Sequence, residues 1–415
     1  MYIPRVVDAE LAARLRSSGA VLLEGAKACG KTETARQQAA SESMLDIDPQ
    51  ARAAATVAPE LILDRKPPVL IDEWQLEPSL WDHVRRAVDQ RNVPGQFILT
   101  GSATPTDDAR RHSGAGRFAV VRMRPMSLLE TGHSSGAMSL HALLDGRTQQ
   151  SSDSGPSIAE LAERITVGGW PAFQHLAVPD AARSIRDYLT QIGNIDVSVV
   201  EGRRRDPVKV SAFIRSLARN VATEAAVTTI AADSAGNQES IDRSTAASYL
   251  DALERLMIVE NQPAWAPRMR SRSQLRTTPK RHFVDPSLAV AALRGNPDRL
   301  LNDLETMGLL FESLVVRDLR VLSQPLDGEV FHYRDNKGLE VDAIVACQDG
   351  RWGAFEVKLG HGQIETAAER LRYFAEKVDS QHVGQPGVLG IITGSGIGYR
   401  RADGVQVIPI GALGL

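Results

Sequence analysis

Residues 21–32 read Val-Leu-Leu-Glu-Gly-Ala-Lys-Ala-Cys-Gly-Lys-Thr, an apolar run that meets Gly25, four free positions, and then Gly30-Lys31-Thr32. Polyphosphate binding needs these residue types in this order. Glycines let the backbone wrap so that its N–H groups face the anion. The lysine then reaches the β- and γ-phosphates, and a hydroxyl at the start of a helix ligates Mg²⁺ where the helix dipole favours negative charge. Gly25, Ala26, Lys27, Ala28, Cys29, Gly30, Lys31, Thr32 and Glu33 are therefore the candidate nucleotide-binding residues. The flanks agree: an apolar strand at 20–23 precedes the loop and a helix-forming stretch at 33–40 follows it. A glycine-rich structural turn is the alternative, and this context argues against it.

Downstream, Val69-Leu70-Ile71 is a short apolar run of the buried-strand type, so Asp72 falls at the carboxyl end of a strand and Glu73 just beyond it. Open parallel sheets present ligands at that end. Asp72 is suited to hold a Mg²⁺ shell together with Thr32, and Glu73 to orient the attacking water in phosphoryl transfer. A third run, Phe97-Ile98-Leu99-Thr100, leads into Gly101-Ser102 and brings two small hydroxyls to the same edge. Arg110, Arg111 and Arg117 follow in a polar stretch. Each is either a solvated surface arginine or one that a neighbouring copy in a homo-oligomer could insert to neutralise transition-state charge.

The chain has 415 residues, enough for two or three domains, with 43% hydrophobic content and a formal charge of −3. That charge excludes a global nucleic-acid signature, so such binding must come from local patches. Cys29 and Cys347 are the only two cysteines and make neither a disulfide framework nor a zinc site, which suits a reducing cytoplasm. The Met-Tyr-Ile-Pro-Arg start lacks signal-peptide features, and no apolar run approaches the ~20 residues of a membrane span.

Strands at 20–23, 68–71, 97–100 and 118–123 alternate with helical stretches such as 80–90, the pattern of a parallel sheet covered by helices. We expect a first domain at 1–145 and a polar linker at 146–156. A helical region should follow at 157–282, with a C-terminal α/β domain at 283–415. Within the helical region, 208–219, 227–233 and 241–256 read as three helices and 257–263 as a wing strand. No acidic residue then occurs between Ala264 and His282, while Arg268, Arg270, Arg272, Arg276, Lys280 and Arg281 do. This stretch is either a phosphate-contacting DNA segment or a solvated basic loop.

The last third places Glu312 on an amphipathic helix, Asp342 on the second strand of a hairpin (330–333 and 340–345), and Glu356 and Lys358 two apart on the next strand, hence on one face. Glu, Asp and Glu-x-Lys are the parts of a metal-dependent phosphodiesterase. Glu312, Asp342 and Glu356 would bind one or two Mg²⁺, and Lys358 would position water or stabilise the pentacovalent state.

As a whole the chain resembles bacterial and archaeal fused ATPases with an AAA+ domain, a winged-helix-like middle and a restriction-endonuclease-like C-terminal domain of the PD-(D/E)xK type. The matching residues are Gly25-x-x-x-x-Gly30-Lys31-Thr32, Leu70-Ile71-Asp72-Glu73, Leu99-Thr100-Gly101-Ser102, Gly116-Arg117, Gly168-Gly169-Trp170-Pro171, Phe311-Glu312, Glu340-Val341-Asp342 and Glu356-Val357-Lys358. The loop residues 26–29 depart from relatives, which more often carry an arginine and a small apolar residue there. The resemblance implies an α/β protein: a P-loop AAA+ parallel-sheet domain, a helical winged-helix-like middle and a nuclease-like α/β domain. It makes Ser102, ahead of Thr100, the γ-phosphate sensor. The expected function is a cytoplasmic ATPase with ATP and Mg²⁺ as cofactors, in which Lys31, Glu73 and Ser102 serve ATP chemistry. Nucleotide state would be coupled to a DNA-facing domain whose catalytic set is Glu312, Asp342, Glu356 and Lys358. The alternatives are an ATP-dependent regulatory or scaffolding protein whose nuclease-like domain binds DNA or protein without cleaving, and a non-hydrolytic nucleotide sensor.

Overall fold

The structure is a computed structural model that describes residues 2–102, 114–202, 204–234, 241–267 and 278–415. These form two compact units, the first made of Met1–Pro125, Asp196–Arg204 and Ala252–Ile258, the second of Met126–Ile195, Arg205–Asp251 and Val259–Leu415.

In the first unit, strands β1 (Ala20–Glu24), β2 (Ser41–Met44), β3 (Val69–Asp72), β4 (Phe97–Gly101) and β5 (Phe118–Arg122) make one sheet in the order β2-β3-β4-β1-β5. Every pairing is parallel. The four strands expected from the sequence shift by at most one residue at either end. The helix expected at 33–40 instead runs Lys31–Arg36, because the chain has to turn into β2 at Ser41. β3 and β4 are buried at every position, as in a sheet covered on both faces. Alternation along β1 shows the two layers: Ala20 and Leu22 face a core with Trp74, Trp81 and Phe97, whereas Val21 and Leu23 face one with Leu11, Leu15 and Cys29. Helix Leu80–Arg91 covers the first face through Leu80, Trp81, Val84, Ala87 and Val88, spaced one helical turn apart, and Trp81 stacks on Phe118 at 4.0 Å. This order sets the carboxyl ends of β1, β4 and β3 side by side.

The second unit begins with β6 (Met138–Ser139) and helices Ile158–Val167 and Val178–Gln191, the former opened by a capping box between Ser157 and Glu160. Helices Pro207–Arg219, Val227–Ser234 and Arg243–Arg255 follow in chain order, then an antiparallel pair, β7 (Val259–Gln262) and β8 (Lys280–Phe283). The 20-residue helix Leu304–Ser323 comes next. It packs on a sheet of β9 (Gly328–Arg334), β10 (Glu340–Cys347), β11 (Trp352–Lys358), β12 (Val388–Thr393), β13 (Tyr399–Arg400) and β14 (Gln406–Pro409). The order is β13-β14-β12-β11-β10-β9, antiparallel at both edges and parallel through β11-β12-β14. β15 (Leu413–Gly414) pairs with β6. Residues 126–145 thus fold with the second unit, and β8 runs through the boundary expected at 282/283 because it pairs with β7. The polar stretch 146–156 is docked, not free: Ser151 bridges to Gly398, and the Gln149 carbonyl accepts from Gln406 Nε2 at 2.7 Å. Among the described residues no helix is long and apolar enough to cross a membrane.

The Gly168-Gly169-Trp170 segment is a structural clasp. Asp285, fully buried, accepts from the Gly169 amide at 2.9 Å, from the Ser287 amide and hydroxyl at 3.0 and 2.6 Å, and from Arg317 at 2.7 Å. Arg317 also pairs with Asp318 at 2.7 Å, whose other oxygen accepts the Leu128 amide, and Trp170 Nε1 donates to Ser287. Each buried charge is met, so the network costs little in desolvation left uncompensated. Only glycine fits at 168 and 169: a Cβ would stand 2.3 Å from Asp285 Oδ1 in the first case and 2.0 Å from the Met126 carbonyl in the second. Gly169→Ala should therefore destabilise the protein by about 1–3 kcal/mol through overpacking. Gly308→Ala, inside a helix with nothing near the added carbon, should gain about 0.5–1 kcal/mol. Denaturant unfolding of both variants checks the pair, and equal effects would refute the clasp.

Candidate functional site

The loop after β1 is shaped by close backbone approach. A Cβ at Gly25 would lie 2.2 Å from the Met123 carbonyl, and Gly30 sits at φ +105, where only glycine is unstrained. Ala28 also takes a positive φ of 61. Arg5, which no sequence motif marks, pins the loop: its guanidinium donates to the Cys29 carbonyl at 2.9 Å and to the Arg124 carbonyl at 2.7 Å. Cys29 is buried, with Sγ 3.7 Å from the Met123 carbonyl.

Lys31, at the first turn of helix Lys31–Arg36, is 6% exposed and donates to the Gly25 and Ala26 carbonyls, both at 2.9 Å. Thr32 Oγ1 donates to Asp72 Oδ1 at 2.9 Å, and Thr100 on β4 donates to that same oxygen. Glu73, at φ +53 directly after β3, is turned aside from the strand. Its carboxylate accepts from Ser102 Oγ at 3.2 Å and from Gln75 Nε2. Gly101 leaves the room for this, since a Cβ there would meet Gln75 Oε1 at 3.1 Å and Trp74 Nε1 at 3.0 Å. Three strand ends thus bring Lys31, Thr32, Asp72, Glu73, Thr100 and Ser102 together. Of the remaining loop residues, Lys27 pairs with Asp196 at 2.5 Å, and Glu33 pairs with Arg36 on the exposed helix face at 2.6 Å. Arg117 is tied to Asp89 at 2.8 Å. Arg110 and Arg111 lie outside the described residues.

The donor chemistry of this loop fits Mg²⁺. The Thr32 hydroxyl and the Asp72 carboxylate are hard oxygen donors of the kind that Mg²⁺ takes, and they stand side by side at the end of β3.

The second unit gathers Glu312, Asp342, Glu356 and Lys358 and adds Glu340 and Lys280. Lys280 Nζ lies 2.8 Å from Glu312 Oε1, 2.9 Å from Glu340 Oε1 and 3.8 Å from Asp342 Oδ1. Lys358 Nζ lies 3.1 Å from Asp342 Oδ2 and 2.7 Å from Glu356 Oε2, and the Val357 amide donates to Asp342 at 2.8 Å. Asp342 stands where the β9–β10 register shifts, between Val341 and Ile344. Burial and the Asp342 charge push Glu312 up to about 8 and Glu356 up to about 7. Burial would raise Asp342 too, but Lys358 and Lys280 outweigh it and hold its carboxyl below the usual range. A cavity of about 580 Å³ opens on this cluster, lined by Leu304, Leu309, Glu312, Asp342, Lys358 and Leu359.

One expectation is corrected here. Lys280 and Arg281 are not solvent-facing DNA contacts. The Lys280 side chain is 4% exposed inside the carboxylate cluster, and Arg281 is buried with its guanidinium on the Ala225 carbonyl. Arg268, Arg270, Arg272 and Arg276 lie outside the described residues. Glu312, Asp342 and Glu356 do meet in one cluster, but each carboxylate pairs with a lysine. Two ammonium groups stand between these acids.

Residues 17–132 match the model of an AAA domain, so the first unit carries an AAA-type P-loop domain. Residues 158–299 and 307–413 match two domains of unknown function, DUF8612 and DUF4143. Uncharacterized proteins of Mycobacterium tuberculosis and Mycobacterium bovis are each 25% identical over 361 residues, covering 85% of this chain and 73% of theirs. Among solved structures, the Walker-type ATPase of Pyrococcus abyssi aligns with a TM-score of 0.41 at 13% identity, over 69% of this chain and 94% of that one. A chain of Drosophila ORC bound to DNA aligns with a TM-score of 0.18 at 15% identity, over 69% and 85%. At these scores neither structural likeness carries an argument about this chain.

Proposed function

We propose that the chain is a Mg²⁺-dependent ATPase whose nucleotide state controls a C-terminal domain that binds its target without cleaving it. The observation that carries the ATPase reading is the paired carboxylates at the end of β3: Asp72 takes the Thr32 and Thr100 hydroxyls, and Glu73 is held apart by Ser102. One carboxylate is placed for a cation, the other for water. Bound Mg²⁺, held by Thr32 and Asp72, would offset the charge of the β- and γ-phosphate oxygens. Lys31 exchanges its bonds to the Gly25 and Ala26 carbonyls for phosphate oxygens, while the helix N-terminus supplies backbone donors. Glu73 leaves Gln75 and Ser102 to accept a hydrogen bond from the attacking water, and Ser102, released, faces the γ-phosphate. The binding-without-cleavage reading is favoured over a nuclease by Lys280, which neutralises the acids that a metal would need.

Three outcomes follow. Lys31→Ala should abolish ATP binding in equilibrium titration. Glu73→Gln should bind ATP like the wild type and release phosphate roughly 100-fold more slowly, the scale of losing a positioned general base. Wild-type turnover in Glu73→Gln would remove the assigned role and leave a nucleotide sensor.

Thr100→Val should raise the Mg²⁺ concentration required for half-maximal hydrolysis without altering ATP affinity, because it removes a donor that orients Asp72. An unchanged Mg²⁺ requirement would show that Thr100 only packs.

For the target, we take DNA to be bound through Arg268, Arg270, Arg272 and Arg276. Neutralising all four should weaken binding for every sequence alike and flatten its salt dependence, by about 0.9 in slope for each phosphate that is no longer neutralised. DNA affinity unchanged at low salt would refute this assignment.

A further inference from the structure

We infer that the C-terminal cluster carries its own cation: the Lys280 ammonium occupies the position between Glu312, Glu340 and Asp342 that a divalent metal would take in a phosphodiesterase. This rests on the distances around Lys280 and is independent of the ATPase assignment.

The geometry excludes both cations at once. Oxygens 2.8 and 2.9 Å from Nζ are at charge-assisted hydrogen-bond distance, whereas Mg²⁺ draws its oxygens to about 2.0–2.1 Å. An ion placed there would collide with the ammonium. Lys280 is also delivered rigidly. Its strand β8 pairs with β7 in the register Gln262 to Lys280, and the Gln262 amide donates to the Phe331 and Asp342 carbonyls at 2.9 and 3.0 Å. Gln262 Oε1 and Ser313 Oγ engage the two ring nitrogens of buried His282 at 2.9 and 3.1 Å, tying β8 to helix Leu304–Ser323 as well. The strand pair is thus bonded to both elements that bear the acids. The Lys280 side chain is 4% exposed.

Glu312, Glu340, Asp342 and Glu356 face Lys280 and Lys358. Removing one partner of a buried ion pair leaves an uncompensated charge and is far costlier than never having had the pair. A variant without the Lys280 ammonium has two ways to recover: protonate the acids or bind a cation. In the native domain the Lys280 ammonium already lies against Glu312 and Glu340.

Mn²⁺ electron paramagnetic resonance tests this in the full chain, without nucleotide and in an Asp72→Asn background so that the phosphate loop does not contribute. The parent should leave Mn²⁺ free and show no metal-dependent rise in melting temperature. Lys280→Met should melt several degrees lower, bind one equivalent of Mn²⁺ and recover its melting temperature when Mn²⁺ is added. Adding Asp342→Asn should remove both the binding and the recovery, and Lys280→Arg should behave like the parent. Mn²⁺ binding in the parent that Asp342→Asn abolishes would overturn the inference, as would a folded Lys280→Met protein that takes up no Mn²⁺. Should Lys280→Met fail to fold, the comparison of the parent with Asp342→Asn decides alone.

Discussion

A carboxylate withdrawn from water must be met by donors or positive charge, and three aspartates, Asp72 and Asp285 buried and Asp342 half-buried, organise this protein by how that demand is satisfied. Asp72 is met by two hydroxyls, Thr32 and Thr100, which neutralise none of its charge. Asp285 is met by a guanidinium, an amide and a serine, a complete set. Asp342 is met by two ammonium groups and an amide. The first arrangement retains charge for a further cation; the other two leave little for one.

The division explains why residues with similar sequence signatures serve different ends. Asp72-Glu73 and Glu356-Val357-Lys358 both end apolar strands with charged residues. At the first, the neighbouring strand ends contribute only hydroxyls, so the acids remain available to ligand chemistry. At the second, Lys358 folds back onto Glu356 and Asp342, and Lys280 arrives from a separate strand pair. Glycines mark a parallel contrast. Gly25 and Gly30 shape a ligand loop, whereas Gly168 and Gly169 let the backbone approach Asp285 and Met126 and serve packing alone.

Local order made the first unit legible from sequence. Its loop residues are contiguous from Gly25 to Thr32, the β3 run Val-Leu-Ile-Asp is buried at all positions, and the period of Leu80–Arg91 places its apolar side chains on one face. Such signals need no partner from elsewhere in the chain. Arg5 escaped because its targets, the Cys29 and Arg124 carbonyls, are backbone groups that no sequence pattern marks.

The sequence by itself determined the chemistry available: a phosphate loop with its Asp-Glu pair, and a set of acids and lysines in the last third. The tertiary structure decided what those groups do to one another. Lys280 read as one charge in a basic run, since charge along the chain carries no information about burial. Only the pairing of β7 with β8, and the bonds from Gln262 and His282 to strands and helix remote in sequence, put its ammonium among Glu312, Glu340 and Asp342. Long-range strand pairing is set by the global packing of side chains. For that reason the same residues read as a set of acids in one dimension and as acids paired with two lysines in three.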